Sequence, residues 1–430
     1  MSVKKILFAC APFDGHFSPL TGLAMHLKNQ GHDVRWYTQD YYAGKLKNLD
    51  IKHYPFVHAD QLNQESMDTI FPERKNINNQ IKKLNFDIRK IFIEQGPLYY
   101  RDIQQINKEF DFDIMIADVG FVGVSFVKEL MKKPVFSIGV FPLTETSKDL
   151  APTGLGLTPA KTFFGRRKQD ILRFVANKIL FGSSNKLSIK VLREYGIESK
   201  NFVFDETTKR STLVLQSGTP GFEYKRSDLS SNIRFIGPLL PYSQKKLNTY
   251  KIERHNEYDK VILVTQGTVE KDVNKILVPT LEAFKNTNTL VIATTGGSGT
   301  EELRKKYPQQ NFIIEDFIPF GDILPICDVY ITNGGYGGVM LGIQHKVPMV
   351  VAGVHEGKNE ICARVGYFKL GINLRTEKPT SDQIRKAVNE VARTAEYKRN
   401  VSSLANEFRK YEPAVLLEKY LNELDGVRMN

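Results

Sequence analysis

The stretch Glu315–Gly366, EDFIPFGDILPICDVYITNGGYGGVMLGIQHKVPMVVAGVHEGKNEICARVG, decides the fold. Within it, the apolar and β-branched run Asp328–Thr332 predicts a buried strand that leads directly into the glycine loop Asn333–Gly338. Apolar residues at helical spacing then continue to Gln344, and Val347–Ala352 predicts the next strand. The order of strand, glycine loop, helix and strand is typical of a parallel sheet covered by helices.

The glycine loop at the start of the predicted helix favours the binding of an anion. The first N–H groups of a helix have no partner within the helix and carry partial positive charge. Glycines at 334, 335, 337 and 338 remove side chains that would keep a phosphate group from those amides. A tight turn without a ligand is the alternative interpretation. This loop matches neither the ATPase pattern GxxxxGK(S/T) nor the dinucleotide pattern GxGxxG, and the second glycine loop, Thr295–Thr300, does not have the GxGxxG spacing either.

Length and composition predict a folded protein of two domains. The chain has 430 residues, 41% of them hydrophobic and 27 of them Phe, which is enough for two full cores. The N-terminal apolar run stops at Asp14, so it predicts a first strand and not a signal peptide. No apolar segment approaches the roughly 20 residues that span a bilayer. Three scattered cysteines favour a reducing compartment, hence the cytoplasm, and argue against a metal cluster.

The formal charge of +12 is spread along the chain. Small basic clusters occur at Lys82-Lys83, Arg166–Lys168 and Lys245-Lys246, without the aromatic-interleaved stripe of a nucleic-acid-binding surface. We therefore expect no nucleic-acid partner. Peripheral association with anionic lipid and a generally attractive field for anionic substrates remain open.

Alternation of strands and helices predicts two doubly wound α/β domains. We expect the first domain at residues 1–240, a polar linker at 241–257 and the second domain at 258–407. Between Phe141 and about Lys200 the periodicity weakens, which favours loops lining a pocket. Val401–Leu424 predicts a terminal helix.

A histidine and an aspartate follow two predicted strands, at the sheet edge where ligands gather. His16 lies in the loop Pro12–Pro19 after the strand Lys4–Ala11, and Asp118 closes the run Phe112–Asp118. Removing a proton from a hydroxyl group requires a base that titrates near neutral pH, which histidine supplies. From position alone, a solvated histidine and a helix-capping aspartate remain alternative interpretations.

Five segments between Asp316 and Leu374 occur in the order DFIPFGDILP, VYITNGGYGGVMLG, KVPMVVAGV, HEGKNEICA and GYFKLGINL. In order and approximate spacing they resemble the nucleotide-sugar signature of the family 1 glycosyltransferases, the UDP-glycosyltransferase superfamily. Asp14–Pro19 is similar to the GHxxP segment of that family. The resemblance covers nearly the whole chain and implies the GT-B fold, two facing Rossmann-like domains with an interdomain cleft.

Four further segments, FPLTETSKDL, QSGTPGFEYKRSDL, VTQGTVEK and IATTGGSGTEEL, look like a bacterial flavonoid-accepting subgroup. That resemblance implies an inverting transfer of L-rhamnose from TDP-rhamnose to a hydroxyl of a flavonoid or similar aromatic acceptor. UDP-glucose as donor to a terpenoid, a macrolide or another lipophilic acceptor is the alternative. Two further alternatives are a catalytically silent nucleotide-sugar-binding protein and a peripheral lipid glycosyltransferase.

The family resemblance also assigns roles to individual residues. His16 becomes the base that deprotonates the acceptor, and Asp118 orients it. In place of a histidine that opens the phosphate loop in many relatives, this chain has Asn333; in place of an Asp/Glu-Gln pair that holds sugar hydroxyls, it has Lys358-Asn359. The implied donor-binding residues are Thr268, Phe317, Ile318, Asn333, Gly335, Tyr336, Gly337, Gly338, Glu356, Lys358 and Asn359.

The implied acceptor-binding residues are Phe13, Phe121, Phe141 and Thr144. The resemblance implies neither a metal nor a cofactor, since the nucleotide sugar is a co-substrate. It also implies that a C-terminal helix within 408–430 packs back on the first domain. We expect a monomer or a weak dimer without an integral membrane segment.

Overall fold

Two parallel β-sheets, each covered by helices on both faces, are present in the computed structural model, which describes residues 3–62, 66–242, 250–267 and 270–428. The first sheet has, within these residues, seven strands in the order β3-β2-β1-β4-β5-β6-β7. Their bounds are β1 Lys5–Ala9, β2 Asp33–Tyr37, β3 Lys52–Tyr54, β4 Ile114–Asp118, β5 Val135–Gly139, β6 Leu213–Ser217 and β7 Ile233–Gly237.

Helices alternate with strands along this first half, as expected for a doubly wound parallel sheet. Their bounds are α1 Asp14–Asn29, α2 Ala43–Asn48, α3 Met67–Ile70, α4 Gln80–Asp87, α5 Gln95–Glu109, α6 Val124–Leu130, α7 Phe163–Val175, α8 Gly182–Glu194 and α9 Glu206–Arg210. Two π-helical segments, Ile88–Ile93 and Ala176–Leu180, extend α4 and α7. Short 3₁₀ turns lie at Asp40–Tyr42, Pro72–Asn76 and Pro220–Phe222.

The second sheet has six described strands in the order β10-β9-β8-β11-β12-β13. Its strands are β8 Lys260–Thr265, β9 Thr289–Thr294, β10 Phe312–Glu315, β11 Val329–Thr332, β12 Met349–Val351 and β13 Gly371–Asn373. The helices are α10 Leu277–Phe284, α11 Thr300–Lys306, α12 Phe320–Ile323, α13 Tyr336–Gln344, α14 Lys358–Tyr367, α15 Ser381–Arg393, α16 Ala395–Phe408 and α17 Pro413–Arg428. Short 3₁₀ turns lie at Glu253–Glu257 and Leu324–Ile326.

The predicted fold class, two doubly wound parallel-sheet domains, is confirmed. The quoted strand, glycine loop, helix and strand are β11, residues 333–335, α13 and β12. β11 lies at the centre of its sheet, between β8 and β12, and all four of its residues are buried. A continuous apolar run is expected for this strand, because helices cover both faces of the sheet.

Two predictions about secondary structure were wrong, and three short strands were missed. The segment from 141 to 200 was expected to be loops, but it contains α7 and α8, and Phe163 is the first residue of α7. The single helix expected at Val401–Leu424 is two helices, α16 and α17, because the chain turns before Pro413. The short strands β3, β10 and β13 were not predicted at all; each has only three or four residues.

Helix α17 returns to the first sheet. Its Leu417 and Leu421 are buried among the side chains of β1, α1 and β7, including Ile6, Leu20 and Ile236. The predicted linker lies partly outside the described residues. From 250 onwards the chain already contacts the second half, since the Tyr250 amide donates to Asp322 over 2.9 Å. The exact domain boundary remains a prediction.

Among the described residues, no helix combines the length and the apolar character that crossing a bilayer requires.

Candidate active site

His16 and Asp118 lie side by side at the carboxyl edge of the first sheet. β1 and β4 are parallel neighbours with Ala9 opposite Ala117, so the loop after β1 starts beside the last residue of β4. His16 lies in the first turn of α1, and its Nδ1 is 2.5 Å from Oδ1 of Asp118. The structure thus brings the two predicted residues together, while their catalytic roles remain a prediction.

The hydrogen bonds of Asp118 fix which nitrogen of His16 can act as a base. Asp118 is completely buried, and its carboxylate also accepts the amides of Ala11 and Gly120, at 2.6 and 2.7 Å. Because a carboxylate accepts, Nδ1 of His16 donates, and Nε2 is the nitrogen with a lone pair for a substrate proton. The histidine side chain is 17% exposed, so a substrate can reach it.

Gly120 belongs to this site although the sequence did not single it out. A Cβ atom here would lie 2.9 Å from Oδ1 of Asp118 and 2.9 Å from Cε1 of His16, closer than van der Waals contact allows. Only glycine fits beside the pair. The available signal was a glycine two residues after a strand-ending aspartate. The interpretation of Asp118 as a helix cap was wrong, because Gly123 precedes α6 and Asp118 bonds elsewhere.

Two of the predicted acceptor residues flank the histidine ring. The ring centroid of Phe13 is 5.9 Å from that of His16, and the ring of Phe141 is 5.8 Å away in an edge-on arrangement. Both phenylalanines are half-buried, so each has a face left for a ligand. Thr144 is also half-buried, and its carbonyl accepts a hydrogen bond from the Thr153 hydroxyl over 3.2 Å.

The prediction that Phe121 contacts the acceptor was wrong. Its side chain has no exposed surface and stacks on Tyr99 with ring centroids 4.6 Å apart. The ring also meets Tyr37 edge-on, within the core between the first sheet and α5. Phe121 therefore holds the turn after Asp118 in place from beneath and does not reach a substrate.

The four glycines of the loop Asn333–Gly338 divide into two kinds. Gly334 has φ +81°, and a Cβ there would collide with Sγ of Cys362, while a Cβ at Gly338 would lie 3.0 Å from the Tyr330 hydroxyl. These two glycines are required by backbone geometry and packing. By contrast, a Cβ at Gly337 would meet nothing within 4 Å, and one at Gly335 only the Asn333 side chain at 3.7 Å. Open space for an anion therefore lies at Gly335, which precedes α13, and at Gly337, in its first turn.

Asn333 connects the glycine loop to the end of β8. Its Nδ2 donates to the carbonyl of Gln266, and its Oδ1 accepts the amide of Gly335 over 3.3 Å. The Asn333 side chain carries no charge, and its two hydrogen bonds orient the loop. One of its N–H groups remains for a ligand. Gly267 packs against it with φ +78°. The predicted phosphate contact Thr268 lies outside the described residues.

Phe317 and Ile318 face in different directions. Phe317 is 70% exposed, and its ring is the nearest neighbour of a Cβ placed on Gly297, at 3.9 Å. From the sequence, Phe317 was equally compatible with stacking on a nucleotide base and with a position in the core, and its exposure excludes the core position. Ile318 is 7% exposed and packs in the core beneath α12 and α13, so its side chain cannot contact a nucleotide base. Only the main chain of Ile318 remains available for such a contact.

The start of α13 reaches the carboxyl edge of the first sheet. The hydroxyl of Tyr336 donates to the carbonyl of Ser217, the last residue of β6, over 2.8 Å. Tyr336 was predicted to bind the donor, but its side chain is buried against the other half of the molecule. Only its main-chain amide is on the side of the glycine loop. The bond places the start of α13 at the same carboxyl edge of the first sheet that holds His16 and Asp118.

A second contact joins the halves at the predicted sugar-binding positions. The loop Gly154–Gly156 of the first half rests on the start of α14, where the Glu360 Oε1 accepts the amides of Gly154 and Gly156 at 2.9 and 2.8 Å. The Asn359 Nδ2 donates to the carbonyl of Gly154 over 2.6 Å. The ammonium of Lys358 lies 2.6 Å from the exposed carboxylate of Glu356. Asn359 is thus engaged by the protein itself.

Beneath this contact lies a buried ion-pair cluster. Arg364 is 2% exposed and bonds Glu223 of the first half at 2.9 Å and Glu360 at 3.1 Å. Burial opposes its charge, but Glu223, Tyr224 and Glu360 outweigh burial and raise the pKa of Arg364. Removing one partner of such a cluster costs about 3–5 kcal/mol, because a buried charge is left uncompensated. None of this was visible in sequence, since Glu223 and Arg364 are 141 residues apart.

Comparison with known proteins agrees with the fold. The family model described as erythromycin biosynthesis protein CIII-like, C-terminal domain, matches residues 280–417. Among solved structures, the calicheamicin glycosyltransferase CalG4 superimposes with a TM-score of 0.77 and 19% identity, covering 98% of this chain and 99% of that one. At this identity the likeness establishes the fold.

Sequence relatives span both halves. 4′-Demethylrebeccamycin synthase of Lentzea aerocolonigenes is 30% identical over 415 residues, 96% of this chain and 97% of the relative. UDP-glucosyltransferase 1 of Beauveria bassiana is 29% identical over 96% of this chain and 94% of its own length. The chain therefore belongs to the family 1 glycosyltransferases, the UDP-glycosyltransferase superfamily with the GT-B fold, whose members transfer sugars from nucleotide sugars.

Proposed function

We propose that the protein transfers a sugar, with inversion, from a nucleoside diphosphate sugar to a hydroxyl group of a small aromatic or lipophilic acceptor. Nε2 of His16 takes the hydroxyl proton while the acceptor oxygen forms a bond to the anomeric carbon. The bond from that carbon to the diphosphate breaks, and the nucleoside diphosphate leaves with the electron pair. The observation that carries the proposal is the 2.5 Å bond between His16 and the buried Asp118, which leaves Nε2 as the base.

The first turn of α13 is proposed to stabilise the leaving diphosphate. Its amides have no intrahelical partner, and Gly335 and Gly337 leave space for phosphate oxygens beside them. The Tyr336–Ser217 bond supports this arrangement, since it keeps that turn facing the edge of the first sheet. Thr268 and the exposed ring of Phe317 are proposed to contact a phosphate and the base.

We propose TDP-rhamnose as the donor and a flavonoid or similar planar phenol as the acceptor. Asn359 and Glu360 form hydrogen bonds to the main chain of Gly154 and Gly156, so fewer of their polar groups remain for a sugar. This supports a deoxysugar as donor, because it has fewer hydroxyl groups to bind. The rings of Phe13 and Phe141 on either side of His16 support an aromatic acceptor, because aromatic rings pack edge-on and offset against each other.

UDP-glucose is the second candidate donor, and a specific observation favours it. Relatives that align over nearly the whole chain are named UDP-glucosyltransferases, including those of Beauveria bassiana and Starmerella bombicola. In that case Lys358, now paired with Glu356, would be the side chain closest to the sugar hydroxyls.

The test is a panel of TDP- and UDP-sugars, first by thermal shift and then by release of nucleoside diphosphate in the presence of flavonoid, terpenoid and macrolide acceptors. A bound donor raises Tm by mass action, so a preference for TDP-rhamnose appears before any acceptor is known. Turnover by wild-type protein and loss of turnover with intact donor binding in His16→Ala are expected. Undiminished turnover in His16→Ala overturns the assignment of the base, and donor binding without any turnover favours a silent binding protein.

A further inference from the structure

One helix of the first half exposes its apolar side chains and buries a polar one. The buried residue of α7 is Gln169, whose amide bonds the carbonyl of Thr158 over 3.0 Å and the amide of Ala160 over 3.4 Å. Five large apolar side chains of α7 and the following turn are exposed to between 62 and 83%: Phe163, Phe164, Ile171, Phe174 and Ile179. A surface helix of a soluble protein normally has the opposite arrangement.

Basic residues share this exposed side. At the 100° turn per residue of a helix, Arg167 and Lys168 fall among Phe163, Phe164, Ile171 and Phe174. The guanidinium of Arg167 lies 5.2 Å from the ring centroid of Phe163. Over residues 161–179 the sequence has six basic residues and one acidic residue, a net charge of +5. We name the exposed side of 163–179 the basic apolar face.

The neighbouring helix α4 continues this surface. Its Ile81 and Leu84 are each 46% exposed, and Lys82 beside them is exposed. An open groove of about 520 Å³ runs between α4 and the π-helical turn after α7, lined by Ile81, Lys82, Phe86 and Ile179 among others. The bond from Asn85 Nδ2 to the carbonyl of Leu180, at 2.8 Å, holds the two segments together. The apolar and basic surface therefore extends over two helices.

We propose that the basic apolar face docks the protein on the surface of an anionic lipid bilayer. Phenylalanine and isoleucine side chains insert at the boundary between headgroups and acyl chains. The aliphatic parts of arginine and lysine lie along these apolar side chains, and their charged groups reach the lipid phosphates. Each basic residue near an anionic membrane adds to the attraction. Charge complementarity selects this occupant, because the segment 161–179 that carries the face has a net charge of +5 and the whole chain +12.

A second copy of the chain fits this surface poorly. A two-fold dimer places the same patch against itself, so the basic face of one copy would meet the equally basic face of the other. Membrane docking is independent of the donor and acceptor proposed above. It would bring the first half, with Phe13 and Phe141, to the place where a lipophilic acceptor is concentrated.

The test is sedimentation of the full chain with vesicles of phosphatidylcholine alone and of phosphatidylcholine mixed with phosphatidylglycerol. We expect sedimentation with the anionic vesicles only, and release when salt is raised to about 1 M, where the Debye length falls to about 3 Å. Phe164→Ser/Phe174→Ser removes apolar insertion, and Arg167→Glu/Lys168→Glu reverses charge. Each pair should lower the partition coefficient at least about tenfold.

Matched controls lie outside the face. Val415→Ser changes an apolar side chain that is 51% exposed on α17, and Lys47→Glu reverses an exposed charge on α2. Both should bind vesicles like wild type. The proposal is overturned by absent or lipid-independent sedimentation, or by unchanged binding in both paired variants. It is also overturned if sedimentation velocity shows a dimer that the Phe164→Ser/Phe174→Ser variant dissociates.

Discussion

The hydroxyl of Tyr336 donates a hydrogen bond to the main-chain carbonyl of Ser217 over 2.8 Å, and with it the first residue of α13 holds the last residue of β6. The two residues belong to different sheets. This contact joins the helix turn proposed to hold the donor to the sheet edge that carries His16, so we expect the tyrosine side chain to act as a positioning residue.

Tyr336→Phe should weaken catalysis more than donor binding. Loss of one buried hydrogen bond costs about 1 kcal/mol, which corresponds to roughly a fivefold fall in kcat/KM if the halves lose alignment. Tyr258→Phe is the matched control, because that hydroxyl donates to the Gln310 carbonyl within the second half, at 3.1 Å. Equal kinetic effects of the two substitutions, measured at saturating donor, would contradict an aligning role for Tyr336.

Asp118→Asn should lower turnover by about three to four orders of magnitude while leaving nucleotide binding intact. An amide can donate to Nδ1 of His16, which moves the proton to Nε2 and removes the base. The chain offers a matched control in His58, whose Nδ1 also lies 2.5 Å from a buried carboxylate, that of Asp102. His58→Ala should retain turnover; kinetics of both variants, with a thermal melt for folding, decide the matter.

Gly120→Ala should lower turnover at least about hundredfold without unfolding the protein. The added methyl would press on the Asp118 carboxylate and the His16 ring, both 2.9 Å away, and a displacement near 1 Å is enough for such a loss. Gly44→Ala adds a methyl in open space on α2 and serves as the control. A Gly120→Ala enzyme with wild-type kcat would mean that the pair tolerates displacement.

Gly337→Ala should retain stability and lose donor affinity. The new methyl meets no protein atom within 4 Å, and alanine is the better helix former, so Tm should not fall. A phosphate oxygen bound at this turn would meet the methyl, and loss of one charge-assisted hydrogen bond weakens binding about tenfold or more. Titration of the nucleoside diphosphate is the measurement. Unchanged affinity would place the diphosphate elsewhere.

The three cysteines should resist alkylation in the folded protein at mildly alkaline pH. Burial raises the pKa of Cys10 and of Cys362 to about 12, and burial also raises the pKa of Cys327. The reactive thiolate is therefore scarce at pH 8.5 until the chain unfolds. The same shifts make the free energy of unfolding fall as pH rises above about 9, because unfolded thiols then ionise first. Iodoacetamide labelling with and without urea, followed by mass spectrometry, checks the first statement.

Local signals were enough for the fold and for part of the site. The run Asp328–Thr332 and the glycines after it predicted β11 and α13, because buried parallel strands and helix starts have characteristic local sequences. His16 and Asp118 could be named by position and family likeness, but their contact depends on β1 and β4 being neighbours.

The failures have a common physical cause, which is that exposure is decided by tertiary packing. Phe121 and Phe141 look alike in sequence, yet one is sealed beneath Tyr99 and the other flanks His16. Residues 141–200 were assigned to loops although Phe163, Ile171 and Phe174 recur at helical spacing, so the apolar stripe of α7 is present in the sequence and only its exposure depends on tertiary packing. The bonds of Glu360 to Gly154 and Gly156 join residues more than 200 positions apart.

Helix α17 has a practical consequence for anyone recombining this enzyme with a relative. Because Leu417 and Leu421 complete the core around β1 and α1, a chimera with a single crossover near residue 242 would seat a foreign last helix on the native first sheet. A graft of the donor-side half should instead use two crossovers, the second just before Pro413. The native helix would then return with its own partners.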